Sequence, residues 1–275
     1  MNAKFKMPKF GRTLTGNSML KELLLTTLAT SISIILTFGT AAWMEHRQKV
    51  KNRRQTTMMV LSDIYVFEKQ LEQYDTVYVT KWKDELVELQ SLSHDSIMNL
   101  PYDELKRFWS TLGTPVMLPR DKTAENIFTS DISTWREVGN FRFIKLVSFI
   151  YTYMNDIVKN FDVQIERKTS NYQAFLENPD LIKMSHAEQL ITYIEQKEVK
   201  HFMYDFCRGF HPYFQSSIQY LNGYLKQCME MMDVSEEELQ EFMDNNLYRK
   251  LFTPAVPLPN LTCLVDEHNV LRWQS

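Results

Sequence analysis

The chain has 275 residues, which is enough for one good-sized domain and an additional segment, and its formal net charge is −3. Because this charge is close to neutral, the chain lacks the strongly basic field that attracts phosphates, and we expect no nucleic-acid partner. Only 7 residues are glycine, which argues against glycine loops that cradle phosphates. The aromatic content of 13% argues against intrinsic disorder.

The first 22 residues form a basic tail, and the next stretch, Leu23–Met44, carries no charged residue. A helix rises about 1.5 Å per residue, so this stretch is long enough to span the hydrocarbon core of a bilayer. Trp43 stands near its end, where indole rings favour the membrane interface. We therefore predict a transmembrane helix over residues 23–44. A cleavable signal peptide is the alternative, with Gly39–Ala41 as its cleavage site, but the apolar run is longer than usual for one.

Small residues recur at steps of four along this predicted helix and share one of its faces: Ala29, Ser33, Thr37 and Ala41. A row of small side chains lets a second helix approach closely, so it favours a homo-oligomer or association with another membrane protein. The alternative is that such residues are simply common in membrane helices.

Basic residues also follow the predicted anchor: Arg47, Lys49, Lys51, Arg53 and Arg54. Since both flanks are basic, the positive-inside rule does not decide the orientation. A short basic tail resists crossing a membrane, whereas long domains cross largely regardless of charge. We predict a single-pass protein of the bacterial inner membrane with the bulk of its chain in the periplasm and the lipid bilayer as its first partner.

Residues 45–100 are predicted to be a polar stalk that continues as one long helix to about Leu92, because apolar residues recur there at steps of three and four without proline or glycine. A loop, a helix over Pro101–Leu112 and a second loop come next. Gly139-Asn140 indicates a left-handed stop. The helix after this stop carries a heptad seam that only Lys168 interrupts, and we expect this seam to pack against the long helix.

The remaining helices are predicted from their termini. Ser185 with Glu188, and Ser235 with Glu238, are capping boxes that open two helices. The first should run to about Phe206, Gly209 and Pro212 should kink or break the chain, and the last helix should end near Leu251. Residues 254–275 form a tail, with a β-hairpin around Asp266–Asn269.

These patterns predict a mainly α protein. Its parts are an N-terminal transmembrane helix, a long continuing helix that packs in an antiparallel helical bundle with residues 101–253, and a small C-terminal hairpin.

The anchor with Trp43, the Gly139-Asn140 stop and the tyrosine-rich apolar helix Ile144–Tyr153 together resemble a group of uncharacterised single-pass membrane proteins of Gram-negative bacteria. The likeness covers about half of the chain, including residues 126–156. No activity is established for that group, so the resemblance implies an architecture and a location only.

The best candidates for a metal site are Glu198, His201 and Asp205, since Glu-x-x-His places a carboxylate and an imidazole on one helix face. A di-iron bundle needs a second such motif, which the sequence lacks, so we favour a surface histidine. Cys207 and His211 are the right types for a nucleophile and its base, but no oxyanion-hole motif accompanies them, and a buried thiol is the preferred interpretation.

The three cysteines are too few for a disulfide framework, and three buried thiols are preferred over one bridge with a free thiol. We expect no cofactor and no catalytic residues. The predicted function is protein–protein interaction by a membrane-anchored helical protein that serves as a scaffold, assembly factor or sensor-like module. The alternative is a metal-binding or ligand-binding helical bundle, or an enzyme whose motifs the sequence does not reveal.

Overall fold

The computed structural model describes residues 16–130, 135, 138–245, 263–265 and 271–273; the side chains of residues 16–24, 26, 34–39, 42, 263–265 and 271–273 are outside this description. Nearly all described residues are helical, so the prediction of a mainly α protein is confirmed. The α-helices in chain order are α1 Gly16–Tyr74, α2 Thr80–Ser91, α3 His94–Met98, α4 Tyr102–Gly113, α5 Thr123–Ser130, α6 Phe141–Leu176, α7 His186–Glu195, α8 Lys197–Asp205, α9 His211–Met232 and α10 Glu236–Asn245.

Contacts along the chain define two compact units, Met1–Arg53 and Arg54–Ser275. In the first unit α1 begins at Gly16, so the end of the predicted irregular tail is helical. Glycine is tolerated at this position because its high backbone entropy destabilises a helix terminus less than a helix interior. Within the described residues, no helix combines the length and the apolarity that a bilayer crossing requires.

The long helix predicted to reach about Leu92 is confirmed, since helical residues continue to Ser91. A π turn, Asp75–Val79, joins α1 to α2 and was not predicted. The backbone N–H of Thr80 donates to the carbonyl of Asp75, five residues earlier. The extra residue rotates the helix beyond the turn, so Leu71 before the turn and Val79 at its end are both fully buried.

The loop predicted between the long helix and Pro101 contains the short helix α3. Its first turn is capped by Ser93, whose hydroxyl accepts a hydrogen bond from the backbone N–H of Ser96 at 3.1 Å. Ile97 is fully buried and holds α3 against the bundle. The next helix, α4, begins after Pro101 and ends at Gly113, within one residue of its predicted bounds.

The stop before α6 is confirmed at Gly139, whose φ of 65° is left-handed. Asn140 is extended instead, and its side-chain oxygen accepts from the N–H of Phe143 at 3.2 Å and so caps α6. The α6 seam packs on the long helix, as predicted, and also packs on α9, α4 and α8. Its contact with α1 includes Tyr74 and Phe161, with ring centroids 6.0 Å apart.

The capping box of Ser185 and Glu188 is confirmed by both of its hydrogen bonds, of 2.6 and 3.3 Å. The next break in the helical chain is not at Pro212 but at Gln196, which is extended with ψ of 136°. From Lys197 to Met232 the chain is helical throughout, with a π turn at Phe206–Phe210. Since proline lacks an N–H, it is tolerated in the first turn of α9, directly after the turn that changes the hydrogen-bond spacing.

The junction of α9 and α10 is a Schellman motif in which Asp233 takes the left-handed position with φ of 50°. The N–H of Val234 donates to the carbonyl of Met229 at 3.0 Å. The second predicted capping box is confirmed, since Ser235 and Glu238 exchange hydrogen bonds of 3.2 Å in both directions. The predicted extension of α10 to Leu251 lies outside the described residues.

Near the C-terminus the described strands β1 Cys263–Val265 and β2 Leu271–Trp273 pair antiparallel, with Leu264 opposite Arg272. They flank the residues around which the sequence predicted a hairpin.

Candidate functional site

The three predicted metal ligands lie on α8, where Glu198 and His201 are exposed. The Nε2 atom of His201 lies 3.2 Å from the Asp205 carboxylate, and the guanidinium of Arg167 reaches the same oxygen at 3.2 Å. Asp205 is therefore engaged by two basic side chains. Within the described residues, no group of three or more His, Cys, Asp and Glu side chains is placed to hold a metal ion.

Cys207 and His211 each contact α2. The thiol of Cys207 donates weakly to the carbonyl of Lys83 at 3.9 Å, and Nε2 of His211 lies 3.5 Å from the hydroxyl of Thr80. Burial raises the pKa of the Cys207 thiol, which lowers the fraction of reactive thiolate. Cys207 is a free, half-buried thiol rather than the buried one predicted, whereas Cys228 is free and fully buried.

A buried polar cluster, which we call the Arg120 cluster, lies between α1, α5 and α6 and was not predicted. The side chain of Arg120 is only 3% exposed, and its Nη2 atom lies 2.8 Å from the Glu125 carboxylate. Asn155 accepts a hydrogen bond from the guanidinium and donates one to Glu125 at 2.9 Å. Three side chains thus close a ring of charge-assisted hydrogen bonds, the arrangement that a buried charge requires.

The same cluster includes two groups whose pKa values are raised by burial. Burial raises the pKa of Asp63 to about 6, against the opposing effect of the Arg120 charge. Burial also raises the pKa of Tyr151 well above its usual value, and the neighbouring Asp63 carboxylate adds to this effect. The Arg120 cluster is therefore enclosed and only partly charge-balanced, which makes its stability depend on pH.

Hydrogen bonds from α1 hold the loop that precedes α5. Gln70 donates to the carbonyl of Pro119 at 2.8 Å, and the hydroxyl of Tyr74 donates to the carbonyl of Met117 at 2.7 Å. These bonds tie the residues that precede Arg120 to α1.

A second buried cluster, the Lys168 cluster, lies where α2, α4 and α6 meet. Lys168 is 2% exposed, its Nζ atom lies 3.6 Å from the centroid of the Trp82 ring, and it donates to the Thr111 carbonyl at 3.2 Å. The Thr111 hydroxyl donates in turn to the buried carboxylate of Glu85. Arg107, at the edge of the cluster, lies 3.8 Å from the same carboxylate.

Desolvation lowers the pKa of Lys168 to about 7. A neutral amine is a nucleophile for carbonyl substrates, and catalytic lysines have a lowered pKa of this kind. The amine is nevertheless covered by Trp82 and the Thr111 backbone, and a substrate has no route to it in this conformation. The arrangement therefore serves packing, and the Trp82 face and one carbonyl are the contacts of the amine.

One described groove, of about 750 Å³, lies between α1, α9 and α10. Its volume falls in the range of about 300–1,000 Å³ that is usual for ligand sites. Buried apolar side chains and charged side chains both line it; they include Leu225, Met229, Leu239, Met243, Lys69, Lys226, Glu236, Glu241 and Asp244. Beside it Asn222 donates to the buried Glu68 at 3.2 Å, and burial raises the pKa of this carboxyl group.

An exposed aromatic surface runs along α6 and α9. Phe149 is 50% exposed and stacks on Tyr153 with an interplanar angle of 5°, while Tyr224 stands edge-on to both rings. Tyr220 on the same helix is 58% exposed. Aromatic side chains are enriched where proteins bind one another, because they bury a large area at a small cost in conformational entropy.

In the first unit, the side chains of Ala29, Ser33 and Ala41 from the predicted small-residue face are exposed, and that of Thr37 lies outside the described residues. Of the five predicted basic residues, Arg47, Lys49, Lys51 and Arg53 are exposed. Arg54 is half-buried and belongs to the second unit.

No known protein family, curated protein or solved structure matches this chain.

Proposed function

We propose that this protein is attached to a membrane by its first unit and acts by binding other proteins through its helical second unit. The observation that carries the proposal is the exposure of large apolar side chains on α1: Leu25 is 69% exposed, Leu28 57% and Ile32 51%. Exposed apolar surface costs about 25 cal/mol per Å² in water, so such side chains favour a lipid or protein surrounding.

The predicted details of this attachment are part of the proposal. They are a single transmembrane helix over residues 23–44, the bulk of the chain in the periplasm, and likeness to a group of uncharacterised single-pass membrane proteins of Gram-negative bacteria. Self-association along Ala29, Ser33, Thr37 and Ala41 is part of it as well.

Membrane fractionation with a topology reporter tests the attachment. We expect the intact chain to remain in carbonate-washed membranes, and alkaline phosphatase fused at the C-terminus to be active. Release of the intact chain into the aqueous fraction would refute the attachment. Fluorescence from a fluorescent protein fused at the C-terminus would instead place the second unit in the cytoplasm.

The exposed aromatic surface supports protein binding as the activity of the second unit. A photo-crosslinking amino acid at Phe149 or Tyr220 should capture one discrete partner or a second copy in living cells. The matched control is Tyr102, which is 53% exposed and lies on a different helix, α4, with its ring centroid 6.0 Å from that of His186. Equal labelling from Tyr102 and Phe149, or no discrete adduct from either site on the surface, would argue against binding there.

Ligand binding in the groove between α1, α9 and α10 is a second candidate function, which the groove volume favours. Mass spectrometry of compounds released from the denatured purified chain is the test. A bound compound should be present in the wild type and lost when Met229→Trp fills the base of the groove. A wild-type preparation without any released compound would remove this candidate.

A further inference from the structure

The stretch of α1 from Trp43 to Arg53, which we call the basic segment, combines an exposed indole with exposed basic side chains. Trp43 is 56% exposed, and the guanidinium carbon of Arg47 lies 4.5 Å from its ring centroid. This pair places a cation on an aromatic face one turn apart. Indole rings and basic side chains both favour the headgroup layer of a membrane.

The charge of the basic segment is opposite in sign to that of the whole chain. Its four basic residues and one acidic residue give a net charge of +3 with His46 neutral, whereas the whole chain carries −3. The acidic residue, Glu45, lies 2.7 Å from Lys49. Every described side chain from Trp43 to Lys51 is exposed, and so is that of Arg53.

The basic residues surround the helix rather than share one face. Arg47 and Lys51 are one turn apart and form one row; Lys49 and Arg53 form a second row about 200° away, since successive residues turn by about 100°. A helix that lies flat on a membrane presents one basic face and one apolar face. A helix that passes through the headgroup layer meets phosphates on all sides, and two opposed rows suit that orientation.

Arg54, one residue further along, has a different role. Its guanidinium donates to the carbonyls of Met232 and Asp233 at 3.1 Å, and it pairs with Glu238 at 2.5 Å. It therefore stabilises the junction of α9 and α10 within the second unit. The other four basic residues that the sequence singled out, Arg47, Lys49, Lys51 and Arg53, are exposed.

We infer that the basic segment crosses the headgroup layer and binds anionic phospholipids through Arg47, Lys49, Lys51 and Arg53. This inference rests on the proposed membrane attachment and names the lipid class that the attachment recognises. The chemistry that recognises this lipid is a negative headgroup phosphate without a compensating cation, as in phosphatidylglycerol. Each basic residue near such a surface strengthens binding about fivefold.

The test uses the full chain reconstituted in vesicles that contain a headgroup-photoreactive lipid, either phosphatidylglycerol or phosphatidylcholine. The labelled residues are located by peptide mass spectrometry. We expect phosphatidylglycerol to label both rows of the basic segment, well above phosphatidylcholine. Replacing Arg47, Lys49, Lys51 and Arg53 together by glutamine, which is a comparable helix former, should lower the phosphatidylglycerol labelling to the level of phosphatidylcholine.

The matched control is Arg54→Gln, which should leave the labelling unchanged and lower the unfolding temperature instead. Equal labelling by the two lipids, or by the wild type and the four-residue variant, would overturn the inference while the chain stays in carbonate-washed membranes. Labelling of one row only would overturn the crossing orientation. Release of the wild-type chain by the carbonate wash would defeat the proposed function and this inference together, so the two failures are distinguishable.

Discussion

The side-chain nitrogen of Lys168 lies 3.6 Å from the centroid of the Trp82 ring, in a part of the bundle that is closed to water. A lysine in such a position ionises with difficulty, because an aromatic face and one carbonyl replace only part of its hydration. Lys168 donates to the backbone carbonyl of Thr111, and the hydroxyl of the same threonine donates to the buried carboxylate of Glu85. Burial therefore shifts the ionisation of Lys168 towards the neutral amine.

Replacing Lys168 by methionine should remove a pH dependence of stability. The pKa of Lys168 is about 7 in the folded chain and 10.5 when unperturbed, so between these values the unfolded chain binds more protons. Wild-type stability should therefore rise with pH across this window, by about 1.4 kcal/mol per pH unit from this group. Lys168→Met should flatten that slope in urea unfolding at pH 7, 8 and 9, because a thioether does not titrate.

Lys159→Met, on the same helix but exposed, is the control for this prediction and should keep the wild-type slope. If Lys168→Met kept the slope as well, the amine would be charged in the folded chain and its surroundings more polar than the packing indicates.

Replacing Asp63 by asparagine should remove a pH dependence of opposite sign. The pKa of Asp63 is about 6 in the folded chain and 3.8 when unperturbed, so between these values the folded chain binds more protons. Wild-type stability should fall as the pH rises from about 4 to 6, and Asp63→Asn should not show this loss. Thermal unfolding across this range is the measurement, and the exposed Asp156→Asn is its control. If Asp63→Asn were less stable than the wild type at pH 8, the ionised carboxylate of Asp63 would stabilise the Arg120 cluster.

Removing the guanidinium of Arg120 should destabilise the second unit strongly. Arg120→Met leaves the Glu125 carboxylate without its cationic partner in a buried site, and breaking a buried pair in this way costs about 3–5 kcal/mol. The matched control is Arg167→Met, whose ion pair with Asp205 is about one-third exposed on both sides and is worth about 0.2–1 kcal/mol. Urea unfolding of both variants at one pH separates the two cases. Equal losses would mean that water reaches Arg120.

The features that could be predicted from the sequence are those fixed by neighbours along the chain. The capping boxes at Ser185 and Ser235 need only residues three apart, and the left-handed Gly139 reflects the conformational freedom of one residue. The heptad spacing of α6 likewise follows from the apolar residues of its own seam, most of which are buried. In each case the local pattern and the final packing agree.

The features that were missed depend on distant residues. The Arg120 cluster joins α1, α5 and α6, and no spacing within one helix reveals that these side chains meet. The π turns and the break at Gln196 adjust one helix to the helices around it, which propensity alone does not encode. Lys168 offered the one local signal, because a charged residue in an otherwise apolar seam is either a gap in the packing or a buried, specifically partnered group.

Asp233 provides a direct test of how the junction of α9 and α10 is encoded. It has the left-handed backbone of a Schellman motif, and its carbonyl accepts from Arg54 at 3.1 Å. Glycine takes this conformation without a steric penalty, aspartate tolerates it, and alanine does so at a cost of about 1 kcal/mol. We expect the urea midpoints to fall in the order Asp233→Gly, wild type, Asp233→Ala, since all three keep the carbonyl that Arg54 binds. If the glycine variant were the least stable, the Asp233 side chain itself would contribute to the junction, and its left-handed backbone would be secondary.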